Sequence, residues 1–485
     1  MLEVVIKNVQ IVHPGKQTPI PGDIGIVQGK IVAVGDSLST DGARLVYDGK
    51  NQLAFPGLVD AHMHTGIYNP LAEDAVTESR AAATGGVTTS LNYMRTGKYY
   101  LNKTGPYATF FPEVLDISRD RFYVDYAYHI APIQYSHIDE IEMLIEKMGV
   151  TSFKIFMFYG NYGLHGTSNT QQDFLMTPDG EYYDYAHFEF IMRGITRAME
   201  KFPEKKDSIC LGLHCETAEI MRAYTQLVQR DGKLTGLRAY SAARPPHSEG
   251  LAIFIASYLA NETACTNINL LHLTSAKAVD AALMMQQVFP HIHFKREVTL
   301  AHLILDYDAG CGLHAKVNPP IRSREDVEYL WEHLLAGNID WVCSDHACCK
   351  AEFKTDVTDK DNVWLAKSGF GGTELLLSGL YTEGSKRGLL VNRMAELLST
   401  NPASRFGLPS KGKIEVGFDA DIALFDPTQT FTVNSADSES TQGYSVFEGH
   451  TFTGKVTSTF LRGQLIFDQE KVLGEPAGQF LHRPY

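Results

Sequence analysis

Residues 152–159 read SFKIFMFY, 187–202 HFEFIMRGITRAMEKF, 209–216 ICLGLHCE, 250–260 GLAIFIASYLA and 267–275 NINLLHLTS. Short apolar runs alternate with longer amphipathic segments, and a strand followed by a helix, repeated, implies a parallel sheet. Continued over about 350 residues, the pattern closes most economically as a (β/α)8 barrel. The rival is an open doubly wound sheet. Its nucleotide fingerprints, a G-x-G-x-x-G between an early strand and a helix or a G-x-x-x-x-G-K-[ST], are absent from the chain.

Outside this region the texture changes to short-period alternation. LEVVIKNVQIV (2–12) and GDIGIVQGKIVAVG (22–35) at one end, and DADIALFD (419–426) and TGKVTSTFLRGQLIFD (453–468) at the other, read as antiparallel strands with glycine turns between them. Chain ends of a domain often lie close together, so the two ends are expected to meet as one small β-sandwich. The expected division is 1–54 and 409–485 for the sandwich and tail, and 55–408 for the barrel.

The 485 residues hold 43 Lys+Arg against 57 Asp+Glu, a net charge of −14. That balance argues against nucleic acid or an anionic membrane as partner, since both are held by clustered basic side chains. Seven cysteines over this length make no disulfide framework, and the start MLEVVIKNVQIVHPG has no basic-then-apolar leader pattern. A reducing cytoplasm is the expected compartment. No charge-free apolar run is long enough for a transmembrane span.

Chemistry concentrates where apolar runs end. FPGLVDAHMHTG (55–66) ends a strand in His62 and His64, and alternate strand residues point to one side, so both imidazoles can grip one divalent metal. His214 in ICLGLHCE, His272 in NINLLHLTS and Asp345 in IDWVCSDHACC (339–349) repeat the arrangement, each a polar group costly to bury without a partner. Lys154 stands inside the apolar VTSFKIFMFYG (150–160), where its pKa should fall; such an amine is a nucleophile or, after reaction with carbon dioxide, an anionic carbamate able to bridge two cations. Any one of these groups is explained by a satisfied core histidine or a snorkelling lysine. Their recurrence on successive strand ends is not.

With these residues in view, the chain resembles the amidohydrolase superfamily, in its hydantoinase, dihydropyrimidinase, allantoinase and dihydroorotase branch. The motifs run nearly the whole length in order: FPGLVDAHMH, AAATGGVTT, SFKIFMFY, HCE, ARPPHSEGLAI, LLHLTSAKA, NPPIR, SDH, TNPASRFGL, KGKIEVGFDADIALFD and VTSTFLRGQLIFD. The resemblance implies a metal-bearing barrel with a terminal β-sandwich. It implies that His62 and His64 bind the more buried metal, that carboxylated Lys154 bridges two metals, that His214 and His272 bind the second, and that Asp345 binds the first and shuttles the proton. Two divalent cations would bring the pKa of a shared water toward neutrality, and one carboxylate beside it can pass the proton to the leaving nitrogen. Zinc is the expected metal, because imidazole and carboxylate-type oxygen suit it.

Tyr159 matches the tyrosine that in hydantoinases and dihydropyrimidinases hydrogen-bonds the substrate carbonyl, and allantoinases generally lack it. Asn318 in NPPIR stands where hydantoinases usually carry Ser, and Ser368 in SGFGG (368–372) where they usually carry Asn. In the family these two positions reach the ring amide largely through backbone atoms. SDHACCKAEFK (344–354) is closer to the allantoinase style of this loop. Cys343, Cys348 and Cys349 lack zinc-ribbon spacing and read as structural thiols, and His346 as a neighbour that orients the loop or the carboxylate. The aromatic stretches 158–162 and 174–185 are candidates to line a pocket for an apolar substituent.

The expected activity is binuclear metal-dependent opening of a cyclic ureide, a 5-substituted hydantoin or dihydropyrimidine, to an N-carbamoyl amino acid. Allantoin is the alternative ring. Dihydroorotate is disfavoured because TGIYNPLAED (65–74) lacks that subfamily's carboxylate motif. A non-catalytic scaffold relative would have lost ligands that this chain retains. The resemblance further implies a homotetramer or homodimer.

Overall fold

The computed structural model describes residues 1–160, 162–164 and 174–485. Strands β1 (Val4–Ile11), β2 (Ile20–Val27), β3 (Lys30–Gly35), β4 (Leu45–Asp48) and β5 (Leu53–Pro56) precede the barrel. The barrel strands are β6 (Leu58–Met63), β7 (Val87–Met94), β8 (Asp125–Ile130), β9 (Ser152–Phe156), β10 (Cys210–His214), β11 (Asn267–Leu270), β12 (His293–Thr299) and β13 (Trp341–Cys343). They pair in sequence order and in parallel, and every β6 to β11 residue is buried, as strands covered on both faces must be. Closure between first and last strand is made by a parallel bridge of Met63 with His346 and by the His64 N–H donating to the His346 carbonyl at 2.7 Å. The expected (β/α)8 barrel is present.

Strands β14 (Ile422–Thr432), β15 (Thr451–Leu461), β16 (Gln464–Asp468) and β17 (Lys471–Val472) complete the terminal unit. The two chain ends join where β5 pairs antiparallel with β14, Phe55 opposite Ala423. All nine strands form one continuous ladder, β17-β16-β15-β14-β5-β1-β2-β3 with β4 also on β1. Side chains tie its distant strands: Tyr47 of β4 donates to Asp468 of β16 at 2.7 Å and packs edge-on against Phe460 of β15. The aliphatic side chains of Val4, Ile6, Ile24, Ile422 and Leu424 fill the interior.

Sheet and barrel are joined by buried charge. Lys411 Nζ donates to Asp421 Oδ2 at 2.6 Å and to Asp125 Oδ2, at the start of β8, at 2.8 Å, with Asp419 at 3.2 Å. Although burial alone would lower the Lys411 pKa, these carboxylates hold it above the ordinary lysine value. Lys411→Met leaves the buried Asp421 without a cation, while Asp125 keeps Arg462 and Asp419 keeps Lys30, and is expected to destabilise the protein by about 3–5 kcal/mol, read by urea denaturation. Gly86, at φ +82°, brings the start of β7 against β14; a Cβ there would lie 2.8 Å from the Ala423 methyl. The C-terminal tail leaves the sheet and runs under the barrel. Tyr126 N–H donates to the Gln479 carbonyl at 2.9 Å, and the buried Arg483 donates to the Tyr128 carbonyl at 2.6 Å and to Ser152 Oγ at 2.8 Å. Among the described residues no helix is long and apolar enough to cross a bilayer.

Candidate metal centre and active site

The six groups singled out as ligands converge at one end of the barrel. His62 lies on β6 and Lys154 on β9, His214 ends β10, and His272 and Asp345 follow β11 and β13. That is the carboxyl-terminal face, where barrel sites are built. Strand β6 carries an irregularity against β7 between Asp60 and Met63, so strict alternation fails there. Such bulges re-aim side chains. Here Ala61 packs in the barrel base with Leu91 and Cys210, while the next residue, His62, faces Lys154 and Asp345. Lys154 Nζ lies 2.5 Å from His62 Nε2 and 3.5 Å from His64 Nε2. Asp345 Oδ1 lies 3.0 Å from His62 Nε2 and 3.2 Å from His64 Nε2. The His272 ring centre is 5.5 Å from that of His62 and 4.3 Å from that of His214. Both His272 and Asp345 adopt positive φ, +34° and +53°, strained for non-glycine residues and typical of sites where geometry is imposed for function.

The cage holds its protons unevenly. Burial lowers the Lys154 pKa to about 8, with Asp345 and Glu297 opposing. For His62 burial would also lower it, but Asp345 and Glu297 outweigh that and bring it to about 9. Burial, helped by Lys154, takes His64 down to about 3, and burial holds His214 and His272 well below the ordinary histidine value. These three imidazoles are therefore neutral at neutral pH, the form that binds metals. Burial would raise the Asp345 pKa, yet His62 and His64 hold it well below the usual carboxylate range.

Partners around the cage orient it. Glu297, on β12 and fully buried, accepts from His62 Nδ1 at 2.8 Å, from the His272 N–H at 3.1 Å and from the Trp341 indole at 2.8 Å. His64 Nδ1 meets the Tyr100 hydroxyl at 2.7 Å. His214 Nε2 donates to Glu216 Oε2 at 2.7 Å, and Arg244 secures the same oxygen at 2.5 Å. Fixing one ring nitrogen in this way sets the tautomer and aims the other. The buried Nδ1 atoms of His214 and His272 have no hydrogen-bond partner.

His346 turns away from the cage, pairing with Glu78 at 2.8 Å and accepting from the Gly372 N–H at 3.1 Å, so it anchors the loop rather than the carboxylate. Burial raises the pKa of Cys343, Cys348 and Cys349, which keeps all three as thiols.

A small cavity opens onto the cage, walled by Tyr159, Leu164, Asn318, Ser368, His272 and Asp345. The Tyr159 ring stacks on Phe156 at 4.4 Å and 3°, with Phe174 edge-on at 5.0 Å and the Arg95 guanidinium 5.3 Å from its centre. Burial holds the Tyr159 phenol above its ordinary pKa, and Arg95 opposes. Of the two aromatic stretches, Tyr159 lines the cavity, beside Phe156 just ahead of them, whereas Phe158 packs against His214; Asn161 lies outside the described residues. The Asn318 side chain is committed to Tyr240 and to the Leu164 carbonyl. Glu297, Tyr100, Arg95 and Tyr240 were not singled out from the sequence. Glu297 alone left a signal there, an acid near the end of a barrel strand.

Residues 247–466 match the amidohydrolase family. The allantoinase of Rubrobacter xylanophilus is 31% identical over 495 residues, covering 99% of this chain and 97% of its own. The allantoinase of Salmonella newport is 30% identical over 490 residues, covering 99% and 98%. Among solved structures, the L-hydantoinase (dihydropyrimidinase) of Arthrobacter aurescens superimposes with a TM-score of 0.85 at 26% identity, covering 99% of each chain. The dihydropyrimidinase of Brevibacillus agri gives 0.84 at 25% identity, covering 99% and 98%. The chain belongs to the amidohydrolase family, in the cyclic amidohydrolase group that its motifs resemble.

Proposed function

We propose that the chain is a binuclear metal-dependent hydrolase that opens a 5-substituted hydantoin or a dihydropyrimidine to an N-carbamoyl amino acid. The observation that carries this reading is the six-group cage beside a cavity walled by Tyr159. The residues fit a metal pair. Ligand atoms of His62, His64 and Asp345 lie within 4.8 Å of one another, and two buried imidazole nitrogens stand unpartnered beside them. His62, His64 and Asp345 would hold one ion, His214 and His272 the other, and Lys154 as its carbamate would serve both; zinc suits this donor set. When bound, such a pair acidifies water and polarises an amide carbonyl.

The remaining work falls to side chains. Asp345, ionised throughout the working pH range, accepts a proton at Oδ1 and returns it to the departing ring nitrogen. Tyr159, kept protonated, donates to the oxygen that gains charge as the carbonyl becomes tetrahedral. Tyr159→Phe is expected to lower kcat about 100- to 1000-fold with metal content unchanged, measured by steady-state kinetics and metal analysis.

Carbamate formation makes a pH prediction. Only neutral amine adds carbon dioxide, and Lys154 is half neutral near pH 8. At fixed dissolved carbon dioxide, metal uptake by stripped protein should rise steeply with pH through 8 and keep rising toward 9, where His62 also becomes neutral, read by metal analysis. A flat profile would contradict the role of Lys154.

Allantoin is the second reading, favoured by the two allantoinase relatives and by the style of residues 344–354. A panel of hydantoin, 5-phenylhydantoin, dihydrouracil and allantoin separates the two. We further propose a cytoplasmic protein that assembles as a homo-oligomer; the exposed stripe Leu251, Phe254 and Tyr258 on the helix Pro246–Glu262 supports the assembly.

A further inference from the structure

Asn318 and Ser368 are the two positions at which the cavity departs from the hydantoinase pattern, and both meet one side chain. Tyr240, on the helix Gly236–Ala243, donates its phenol to Asn318 Oδ1 at 2.5 Å and lies 3.5 Å from Ser368 Oγ. Asn318 Nδ2 in turn donates to the Leu164 carbonyl at 2.7 Å. Tyr240, Asn318 and Leu164 are all buried, and Asn318 and Leu164 line the cavity. Tyr240 is itself held in place, with the Lys316 amine 4.6 Å and the Arg244 guanidinium 5.2 Å from its ring centre.

An amide carries its acceptor and its donors on separate arms, so Asn318 serves the phenol and the carbonyl at once. A serine hydroxyl, short and with a single proton, cannot span the two. The asparagine thus does something its usual replacement does not: it ties the wall at Leu164 to the helix that carries Tyr240. We propose that Tyr240 and Asn318 form a latch that holds Leu164 against the cavity, and that this latch limits the ring substituent to a compact size. The latch is independent of the metal ligands, while its consequence for substrates rests on the ring-opening reading above.

The test compares Asn318→Ser and Leu164→Ala with wild type on hydantoin and 5-phenylhydantoin, and follows amide hydrogen exchange at residues 162–164. Both variants are expected to raise the ratio of kcat/KM for the phenyl ring over the unsubstituted ring by about tenfold, mainly through KM. Exchange should speed up in Asn318→Ser. A ratio unmoved in both variants overturns the size limit. Equal losses on both rings in Asn318→Ser, with Leu164→Ala silent, would mean that Asn318 reads the ring itself, and overturns it too. If wild type opens neither ring, the functional reading fails and exchange decides the latch: faster exchange in Asn318→Ser supports it, and unchanged exchange overturns it.

Discussion

Lys154→Met is expected to lower kcat by about 10⁴-fold or more and to cut metal content from about two ions per chain to below one, while leaving the fold intact. The side chain it replaces is buried between the rings of Tyr93 and Phe156, with its amine 4.8 and 4.4 Å from their centres, and methionine fills such a space without a polar end. Taking an amine out of that environment also removes a desolvation cost. The metal-free variant should therefore be as stable as metal-free wild type, or more so by about 1–3 kcal/mol. Stability and activity moving in opposite directions is the signature of a residue kept for chemistry rather than for folding. Thermal melts of both stripped proteins, with metal analysis of the reconstituted ones, read it. A variant that keeps two ions and its turnover would remove Lys154 from the site.

Asp345→Asn makes the second large effect. The amide keeps the volume but can neither take a proton nor return one, and general acid–base groups of this kind contribute up to about 10⁴-fold. A loss of about 10³-fold in kcat is expected. His62 should report the change independently, because it takes the Asp345 carboxylate together with Glu297 to outweigh burial and bring its pKa to about 9. Without it, burial acts against Glu297 alone and the pKa falls. NMR titration of His62 in the metal-free variant measures the shift. A kcat within tenfold of wild type would assign the proton transfer elsewhere.

How far the sequence carries the reader depends on the kind of residue. The barrel was legible because its strands are buried on both faces and read as apolar runs with helices between them. His62, His214 and His272 were legible because a polar group at the end of such a run needs a reason. Glu297 was less so: it sits in His293–Thr299, HFKREVT, where the half-buried Lys295 and Arg296 beside it mask one buried acid. Tyr100 and Arg95 lie beyond the end of β7, and nothing in loop composition says which side chain turns inward. The terminal unit was read correctly as β structure from both ends. The tie from Tyr47 to Asp468, 421 residues away, is nothing that strand periodicity encodes. The return of Arg483 beneath the barrel escapes for the same reason. At Asn318 the sequence marked the departure, and the hydrogen bonds to Tyr240 and Leu164 supply its cause.

The most direct test of the account is ring opening by zinc-loaded protein on the panel of hydantoin, 5-phenylhydantoin, dihydrouracil and allantoin, with His62→Ala alongside and bound metal counted in both. The account predicts about two ions per wild-type chain, opening of a hydantoin or dihydropyrimidine ring, and no turnover by the variant. Wild type that binds no metal and opens no ring would contradict it.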